Sequence, residues 1–360
     1  MQTIPVRLAH AEYDIIVGPD LLQNLEEHLK RAGLSGPFLV ISQPRIFKAA
    51  GQFLKKRFPL ALIPDGERAK SMTTVTRLLD RMAALNMTRQ STVIAFGGGV
   101  VGDVAGFVAA IYMRGVSVVQ APTTLLAQVD SSIGGKTGIN FRSVKNLVGA
   151  FHQPRLVVSD STLLRTLSDR EYASGLYEAL KYGVIRDAGL FESFVDGIQP
   201  LLTREPDAVG RLVSRCAAIK AEVVAADERE SNLRRILNFG HTVGHALEAA
   251  GNFRRLKHGE AVGYGMIAAA RIGLALNRVS QSDAERIESA IALIGRLPSL
   301  EGIKLRPALH ALQHDKKIRD GAVHFVLPRG IGCVEITPDV PLELVRETVK
   351  ALIHESKNRR

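Results

Sequence analysis

Three histidines lie close together in the second half of the sequence. His241 and His245 are four residues apart in the stretch HTVGHALE, and His258 follows in a His-Gly-Glu triplet. Residues four apart share one face of a helix, so the first two imidazoles are expected to project together. Glu178 and Lys181 lie three residues apart on a predicted helix upstream. They either contribute a carboxylate and an ammonium group to the same site or form an ordinary surface ion pair. Two imidazoles and one carboxylate suit a divalent metal ion with positions left for substrate oxygens.

A glycine-rich loop in the first half indicates a second kind of site. Gly97-Gly-Gly-Val-Val-Gly102-Asp103 follows a predicted strand and opens a predicted helix. Glycines let the backbone approach a pyrophosphate at a helix N-terminus, although the motif alone fits an ordinary turn equally well. Asp65-Gly-Glu67-Arg-Ala-Lys70 follows the preceding strand, where an acidic group can hold ribose hydroxyls. In isolation, an exposed charged turn is the better interpretation of that segment.

Two further polar sets carry groups suited to an anionic, hydroxylated ligand. Residues 122–146 combine hydroxyls, paired glycines and lysines beside an apolar run, which favours anion binding over a solvated loop. Lys220, Glu230, Arg234 and Asn238 form the second set. The last two are four residues apart, so we expect both to face one site.

Predicted strands and helices alternate along the sequence up to about residue 165, and they position these groups. Short apolar runs predict strands, and helical periodicity predicts the segments between them. The predicted strands are a hairpin at 3–9 and 13–17, then 38–42, 60–63, 92–96, 116–119 and 156–158, and the predicted helices are 45–57 and 71–86, the latter capped by Ser71. Such alternation is typical of a parallel sheet with helices on both faces.

Beyond residue 165 the pattern is almost entirely helical. The predicted helices are 170–186, 190–199, 206–228, 240–250, 260–276 and 283–294, followed by a hairpin at 324–327 and 332–336 and a helix at 341–354. The sequence therefore predicts a Rossmann-like α/β nucleotide-binding domain at 1–165 and a mainly α-helical domain at 166–360 that binds metal and substrate.

Composition limits the classes of partner. The 360 residues carry a formal net charge of +11, but the basic residues are scattered and there is no tryptophan. A stacking platform for nucleic acid is therefore unsupported, and a small phosphorylated or carboxylated molecule is favoured. No apolar run approaches a membrane span and no secretory signal is visible at the N-terminus. Cys216 and Cys333 are interpreted as free buried thiols of a cytoplasmic protein.

Together these motifs resemble the 3-dehydroquinate synthase family of the sugar phosphate cyclases. The resemblance covers essentially the whole chain, from Asp65-Gly-Glu67 to Asp315-Lys-Lys317. Its most specific parts are GGGVVGD at 97–103, QVDSSIGGKTGIN at 128–140, KNLVGAF at 145–151, LNFGHTVGHALE at 237–248 and HGE at 258–260.

The resemblance implies roles for individual residues. The implied metal ligands, for zinc or cobalt, are Glu178, His241 and His258. The implied NAD-binding residues are Asp65, Glu67, Lys70, Gly99, Val100, Val101, Gly102, Asp103, Thr123, Thr124, Lys136, Lys145, Leu163, Leu164, Arg165 and Thr166. The implied substrate-site and catalytic residues are Asp130, Lys136, Asn146, Lys181, Lys220, Glu230, Arg234, Asn238, His245 and Lys316, with Arg114 reaching the site of a neighbouring subunit in a homodimer.

The implied activity is conversion of 3-deoxy-D-arabino-heptulosonate 7-phosphate to 3-dehydroquinate and phosphate, a step of the shikimate pathway to aromatic amino acids. It combines transient NAD-dependent oxidation, phosphate elimination, reduction and aldol cyclisation in one lyase. The alternatives are another sugar phosphate cyclase acting on sedoheptulose 7-phosphate or glucose 6-phosphate, a metal-dependent polyol dehydrogenase, or a basic nucleic-acid-binding protein.

Two positions depart from the family pattern. Tyr177 precedes Glu178 where a small residue is expected, and Val144 precedes Lys145 where glycine is expected. The first is expected to alter packing behind the metal. The second is expected to alter a cofactor-loop turn, because valine resists positive φ.

Overall fold

The computed structural model describes residues 1–142, 144–313, 318–319 and 322–358. The strands are β1 Gln2–Arg7, β2 Glu12–Gly18, β3 Phe38–Ser42, β4 Leu60–Leu62, β5 Thr92–Gly97, β6 Ser117–Pro122, β7 Lys136–Phe141, β8 Val144–Phe151, β9 Leu156–Asp160, β10 Ile318–Arg319, β11 Ala322–Val323, β12 Phe325–Gly330 and β13 Cys333–Thr337. The helices are α1 Leu25–Arg31, α2 Pro44–Ile46, α3 Met72–Ala84, α4 Gly99–Ile111, α5 Asp169–Ile185, α6 Ala188–Asp196, α7 Ile198–Leu202, α8 Pro206–Ala226, α9 His241–Ala250, α10 His258–Ala275, α11 Gln281–Ile294, α12 Leu305–Gln313 and α13 Leu342–Asn358.

The chain forms two compact units, which differ from the predicted domains in the assignment of residues 204–228. The first unit is Met1–Ser168 with Arg204–Glu228, and the second is Asp169–Thr203 with Arg229–Arg360. The predicted limits assign 204–228 to the helical domain, whereas α8 packs on β1 and β2 of the first unit. Helical periodicity identifies a helix that has an apolar face, but it does not identify the surface that covers this face.

A seven-stranded sheet organises the first unit. Its order is β1-β2-β9-β6-β5-β3-β4, with β1 antiparallel to β2 and the other neighbouring pairs parallel. The interior strand β5, with the sequence TVIAFG, is buried along its whole length. Such a continuous apolar run is typical of a parallel strand covered on both faces, so the predicted α/β class is confirmed.

The two faces of the sheet build separate hydrophobic cores. Val93 and Ala95 point into a cluster with residues of α3 and α4, whereas Ile94 and Phe96 point into a cluster with residues of α1. Successive side chains of a strand alternate between faces, so β5 supplies both cores. Ser71 caps α3 as predicted, with its hydroxyl accepting from the Thr74 backbone N–H at 3.3 Å.

Two segments of the first unit differ from the sequence prediction. The sequence prediction places no strand within residues 136–151, whereas the structure has the β7–β8 hairpin there. Gly138 and Gly149 face each other across it, and a Cβ on Gly149 would lie 2.1 Å from the Thr137 carbonyl oxygen. Close backbone approach therefore requires residues that single-sequence patterns assign to loops. The predicted helix 45–57 begins as α2 but widens to a π-helical turn at Phe47–Gly51.

The second unit is mainly helical, as predicted. Helix α10 packs against α5, α9, α11 and α13, and it is buried over most of its length. The terminal hairpin is β12–β13, where Cys333 is exposed, so the prediction of two buried thiols is wrong for this residue and correct for Cys216. None of the described helices combines the length and the apolar composition that crossing a membrane requires.

Candidate active site

The glycine loop lies at the carboxyl end of β5 and opens α4. Helix α4 begins at Gly99, and the first intrahelical bonds run from the N–H groups of Val101 and Gly102 to the Gly98 carbonyl. The earliest N–H groups of a helix have no carbonyl partner within it and attract anions. A Cβ on Gly102 would lie 2.8 Å from Gln120 Oε1, so glycine allows α4 to pack closely on β6.

The other implied nucleotide-binding segments also follow carboxyl ends of strands in the same sheet. The turn from Asp65 to Lys70 follows β4, Thr123 and Thr124 follow β6, and the stretch Leu163, Leu164, Arg165 and Thr166 follows β9. This edge of an open parallel sheet is where ligands bind. The hydroxyl of Ser131 is buried without a hydrogen-bond partner among the described residues, 3.0 Å from where a Cβ on Gly99 would lie. This cradle suits a dinucleotide.

A charged cluster joins three of these segments. Lys70 is 7% exposed and donates to the Asp103 carboxylate and, at 2.9 Å, to Asn146 Oδ1. Asn140 on β7 donates to Glu67 Oε1 at 3.0 Å and accepts from the Asn146 backbone N–H at 2.9 Å. Burial raises the pKa of the Asp103 carboxyl, and the Lys70 ammonium lowers that pKa in part. Asn140 belongs to the sequence motif at 128–140, but its hydrogen bond to Glu67 depends on the β7–β8 hairpin and is not evident from the sequence.

Replacing Lys70 tests this cluster. Lys70→Met should lower the free energy of unfolding at neutral pH by about 3 kcal/mol, because the Asp103 charge loses its buried partner. A carboxyl whose folded pKa is raised destabilises the fold as the pH rises through that pKa. The loss of unfolding free energy in Lys70→Met should therefore become smaller as the pH falls toward the ordinary aspartate pKa of about 3.9. Denaturant titrations at pH 7 and pH 5 measure it, with the exposed Lys48→Met as control. An equal deficit at both pH values would contradict the assignment.

The first unit also pairs two of the implied substrate residues. Asp130 lies in the turn Ala127–Ser131, and Lys220 lies on α8. The Lys220 ammonium donates to Asp130 Oδ1 at 2.7 Å and to the Asp130 carbonyl at 2.5 Å. Lys220 is 5% exposed, so α8 brings a buried cation to the loop that follows β6. The packing of α8 in the first unit therefore determines that Lys220 contacts Asp130.

The remaining predicted residues of the first unit are distributed along the hairpin and after α4. Lys136 begins β7, and Lys145 and Asn146 lie near the start of β8. Arg114 is exposed and has a φ of 68°, as part of a short turn after α4. Lys145 is half-buried, and the other three are exposed.

The three histidines lie close together in the second unit. His241 is the first residue of α9, His245 lies one turn further, and His258 is the first residue of α10. The ring centroids are 5.1–5.7 Å apart, and one nitrogen of each ring lies within 4.8 Å of the others. A Cβ on Gly265 would lie 1.7 Å from the Gly240 carbonyl oxygen, so glycine is needed for the close crossing of α9 and α10.

The hydrogen bonds of two rings indicate which nitrogen would be left to hold a metal. Nδ1 of His241 lies 3.0 Å from the Phe239 carbonyl oxygen, and Nδ1 of His258 lies 3.2 Å from Glu248 Oε2. Carbonyl and carboxylate oxygens only accept, so each Nδ1 carries a proton. In the neutral rings the lone pair is then on Nε2, the form that ligates a metal.

Glu178 completes the candidate metal centre. It lies on α5 with 0% exposure, and Oε1 accepts from the Lys181 ammonium and lies 3.8 Å from Nε2 of His241. Its other oxygen, Oε2, is buried without a hydrogen-bond partner among the described residues. A buried, unpartnered carboxylate oxygen is costly, and a divalent cation would satisfy it. The donor set therefore fits zinc or cobalt, with His245 close enough to serve the same centre.

The predicted substrate residues around Arg234 occupy a 3₁₀ segment, Leu233–Asn238, rather than an α-helix. Three residues per turn do not align positions four apart, so the sequence argument for a shared face fails here. Arg234 is 2% exposed, and the Asn238 amide donates to Glu230 Oε1 at 2.7 Å. Lys316 lies outside the described residues.

The two departures from the family pattern have distinct structural settings. Tyr177 is 2% exposed and donates its hydroxyl to the Gly295 carbonyl at 3.0 Å. Its ring also lies against Gly263 of α10, so it packs between α5 and α10. Val144 begins β8 and is not among the residues with positive φ, so the expected conflict with a left-handed turn does not arise.

Comparison with known proteins identifies the family of the chain. The sequence-family model of the 3-dehydroquinate synthase N-terminal part matches residues 60–174, and that of the C-terminal part matches residues 175–318. A 3-dehydroquinate synthase from Nostoc sp. strain PCC 7120 is 43% identical over 359 residues, which cover 97% of this chain and 99% of the relative.

Two solved structures have the same fold. A 2-deoxy-scyllo-inosose synthase complexed with carbaglucose-6-phosphate, NAD⁺ and Co²⁺ is 28% identical, with a TM-score of 0.87 over 97% of this chain and 100% of its own. A 2-epi-5-epi-valiolone synthase from Streptomyces hygroscopicus subsp. jinggangensis 5008 with NAD⁺ and Zn²⁺ bound is 31% identical, with a TM-score of 0.86 over 97% and 99%. From these matches, the chain belongs to the 3-dehydroquinate synthase family.

Proposed function

We propose that the chain converts 3-deoxy-D-arabino-heptulosonate 7-phosphate to 3-dehydroquinate and phosphate, with NAD and a zinc or cobalt ion as cofactors. The observation that carries the proposal is the buried Glu178 carboxylate. Its Oε2 has no hydrogen-bond partner among the described residues, and its Oε1 lies 3.8 Å from Nε2 of His241, in a chain that is 43% identical to a 3-dehydroquinate synthase. Relatives of known structure bind NAD⁺ and Co²⁺ or Zn²⁺, which supports the same cofactors here.

Each unit has its own part in this proposal. The first unit holds the dinucleotide at the carboxyl edge of the sheet, and the second holds the metal through Glu178, His241 and His258. When bound, the dinucleotide supplies a reversible hydride acceptor and the metal a Lewis acid for hydroxyl oxygens. Lys181 donates to Oε1 of the buried Glu178 carboxylate and supplies the opposite charge beside it.

Cationic and polar side chains of the chain match the two anionic groups of the substrate. Arg234, Lys220 and Lys316 neutralise the carboxylate end, and Lys136, Asn146, His245 and Arg114 bind the phosphate end. Lys220 is oriented by Asp130, and Asn238 by Glu230. The substrate phosphate itself accepts the proton during elimination, so the site needs no strong protein base.

A substrate panel separates this proposal from the other members of the superfamily. Sedoheptulose 7-phosphate and glucose 6-phosphate lack the carboxylate that the buried Arg234 would pair, so they should be poor substrates. Incubation of the metal-loaded chain and NAD⁺ with each phosphate, followed by assays of released phosphate and of dehydroquinate, tests this. Turnover of a carboxylate-free sugar alone would favour a different cyclase, and oxidation of a polyol without phosphate release would favour a dehydrogenase.

A homodimer is part of the proposal, with Arg114 serving the phosphate of a neighbouring subunit. Arg114 is exposed at the end of α4, and a helix of thirteen residues spans about 20 Å, so it lies well away from its own glycine loop. Arg114→Ala and His241→Ala chains should each be inactive, whereas their heterodimer should regain about one working site. Verified heterodimers without activity would place Arg114 in its own chain's site or in the fold alone.

A cytoplasmic location completes the proposal. Cys216 and Cys333 are not joined in a disulfide, which suits a reducing compartment.

A further inference from the structure

Glu248 contacts the histidine cluster but has no role in the reaction described above. It lies on α9, seven residues after His241, so it shares one helical face with His241 and His245. Its side chain is buried, at 8% exposure, and Oε2 lies 3.2 Å from Nδ1 of His258. A buried carboxylate thus connects α9 to the first residue of α10.

Both ends of this contact are held by other bonds. The Glu248 carbonyl accepts from the Phe253 backbone N–H at 2.8 Å, which closes the end of α9. The start of α10 is fixed by Glu260, which accepts from the Lys257 backbone N–H at 2.7 Å and from the Arg170 guanidinium at 2.6 and 2.8 Å. The relative position of carboxylate and ring is therefore set by the helices.

The contact determines the tautomer of His258. A carboxylate cannot donate, so Nδ1 of the ring must carry the proton and the neutral ring offers its lone pair at Nε2. The corresponding anchor of His241 is the Phe239 carbonyl, a backbone group that no side-chain substitution removes. At His258 the anchor is a side chain, which makes its contribution testable.

We infer that Glu248 is a positioning residue that fixes the Nδ1-protonated tautomer and the ring orientation of His258, so that Nε2 faces the metal. The inference rests on the metal centre of the proposed function. Carboxylates that hold a ligating histidine in this way increase its basicity, and their loss weakens metal binding by about 10- to 100-fold.

The test is metal affinity rather than activity. Metal-free full-length chain is titrated with Co²⁺ against a competing chelator, with the visible absorption of bound cobalt as the readout. Glu248→Gln should weaken Co²⁺ binding by about 10- to 100-fold. Glutamine has the same length, but its amide can donate to Nδ1 and so favours the wrong tautomer. Glu248→Met, which removes the hydrogen bond, should act in the same direction and is used if the glutamine variant does not fold.

Glu288→Gln is the matched control. Glu288 pairs with Arg271 through two hydrogen bonds of 2.8 and 3.0 Å in the same unit, but no described contact joins it to a histidine. Its variant should bind Co²⁺ like the unaltered chain. Wild-type affinity in a folded Glu248 variant, or equal weakening in Glu248→Gln and Glu288→Gln, would overturn this inference alone. Absence of metal binding by the unaltered chain would overturn the proposed metal centre as well.

Discussion

Glu178→Gln should reduce kcat/KM about a thousandfold and leave the purified chain without stoichiometric metal. Glu178 is fully buried, and one of its oxygens has no hydrogen-bond partner among the described residues. The ion that Glu178 would help to hold would supply Lewis-acid stabilisation of several kcal/mol, and about 1.4 kcal/mol corresponds to a tenfold change in rate. Elemental analysis of the purified variant, together with phosphate release, measures both effects.

The control for Glu178 must separate loss of metal from loss of fold. Removing the carboxylate leaves Lys181 buried without its anion, which is itself destabilising. Glu288→Gln removes a carboxylate from another ion pair of the same unit and should keep both metal and turnover. A folded Glu178→Gln chain with normal metal content and normal turnover would show that the imidazoles alone build the centre.

Arg234→Ala should lower kcat/KM for the heptulosonate phosphate by about 30- to 5,000-fold. Loss of one partner of a buried charge contact costs about 2–5 kcal/mol, and Arg234 is 2% exposed. The guanidinium forms a rigid fork that matches a carboxylate, so Arg234→Lys should recover little of the loss although it keeps the charge. Steady-state kinetics of both variants, with circular dichroism to verify the fold, measures the effect.

Arg235→Ala provides the matched control for Arg234. It makes the same change of charge in the same 3₁₀ segment, at a side chain that is half-buried. Its kinetics should remain close to those of the unaltered chain. If KM and kcat are unchanged in Arg234→Ala, Arg234 does not bind the carboxylate, and the substrates without that group become candidates again.

The sequence is sufficient to predict elements that have strong local signals. Uninterrupted apolar runs identify β3, β5 and β9, and the four-residue spacing of His241 and His245 identifies their shared face on α9. The glycine loop is recognisable because a strand precedes it and a helix follows it. These features depend on residues adjacent in sequence, where period and composition determine the local backbone.

Features that depend on distant partners are not predictable from the pattern. The hairpin β7–β8 requires Gly138 opposite Gly149, and its glycines and lysines look like a loop in the sequence. The packing of α8 on the first unit, which brings Lys220 to Asp130, depends on which apolar surface covers the helix. The same holds for Glu248, because ten residues separate it from the histidine that it contacts.

The number of product molecules formed per NAD molecule tests the central claim most directly. The chain, loaded with zinc or cobalt, is incubated with the heptulosonate phosphate and NAD⁺ at a small fraction of the substrate concentration, and phosphate, dehydroquinate and the NADH absorbance are followed together. We expect many equivalents of phosphate and dehydroquinate for each NAD⁺, no product when NAD⁺ is omitted, and no net NADH. NADH that accumulates in step with product, or dehydroquinate formed without NAD⁺, would contradict the account.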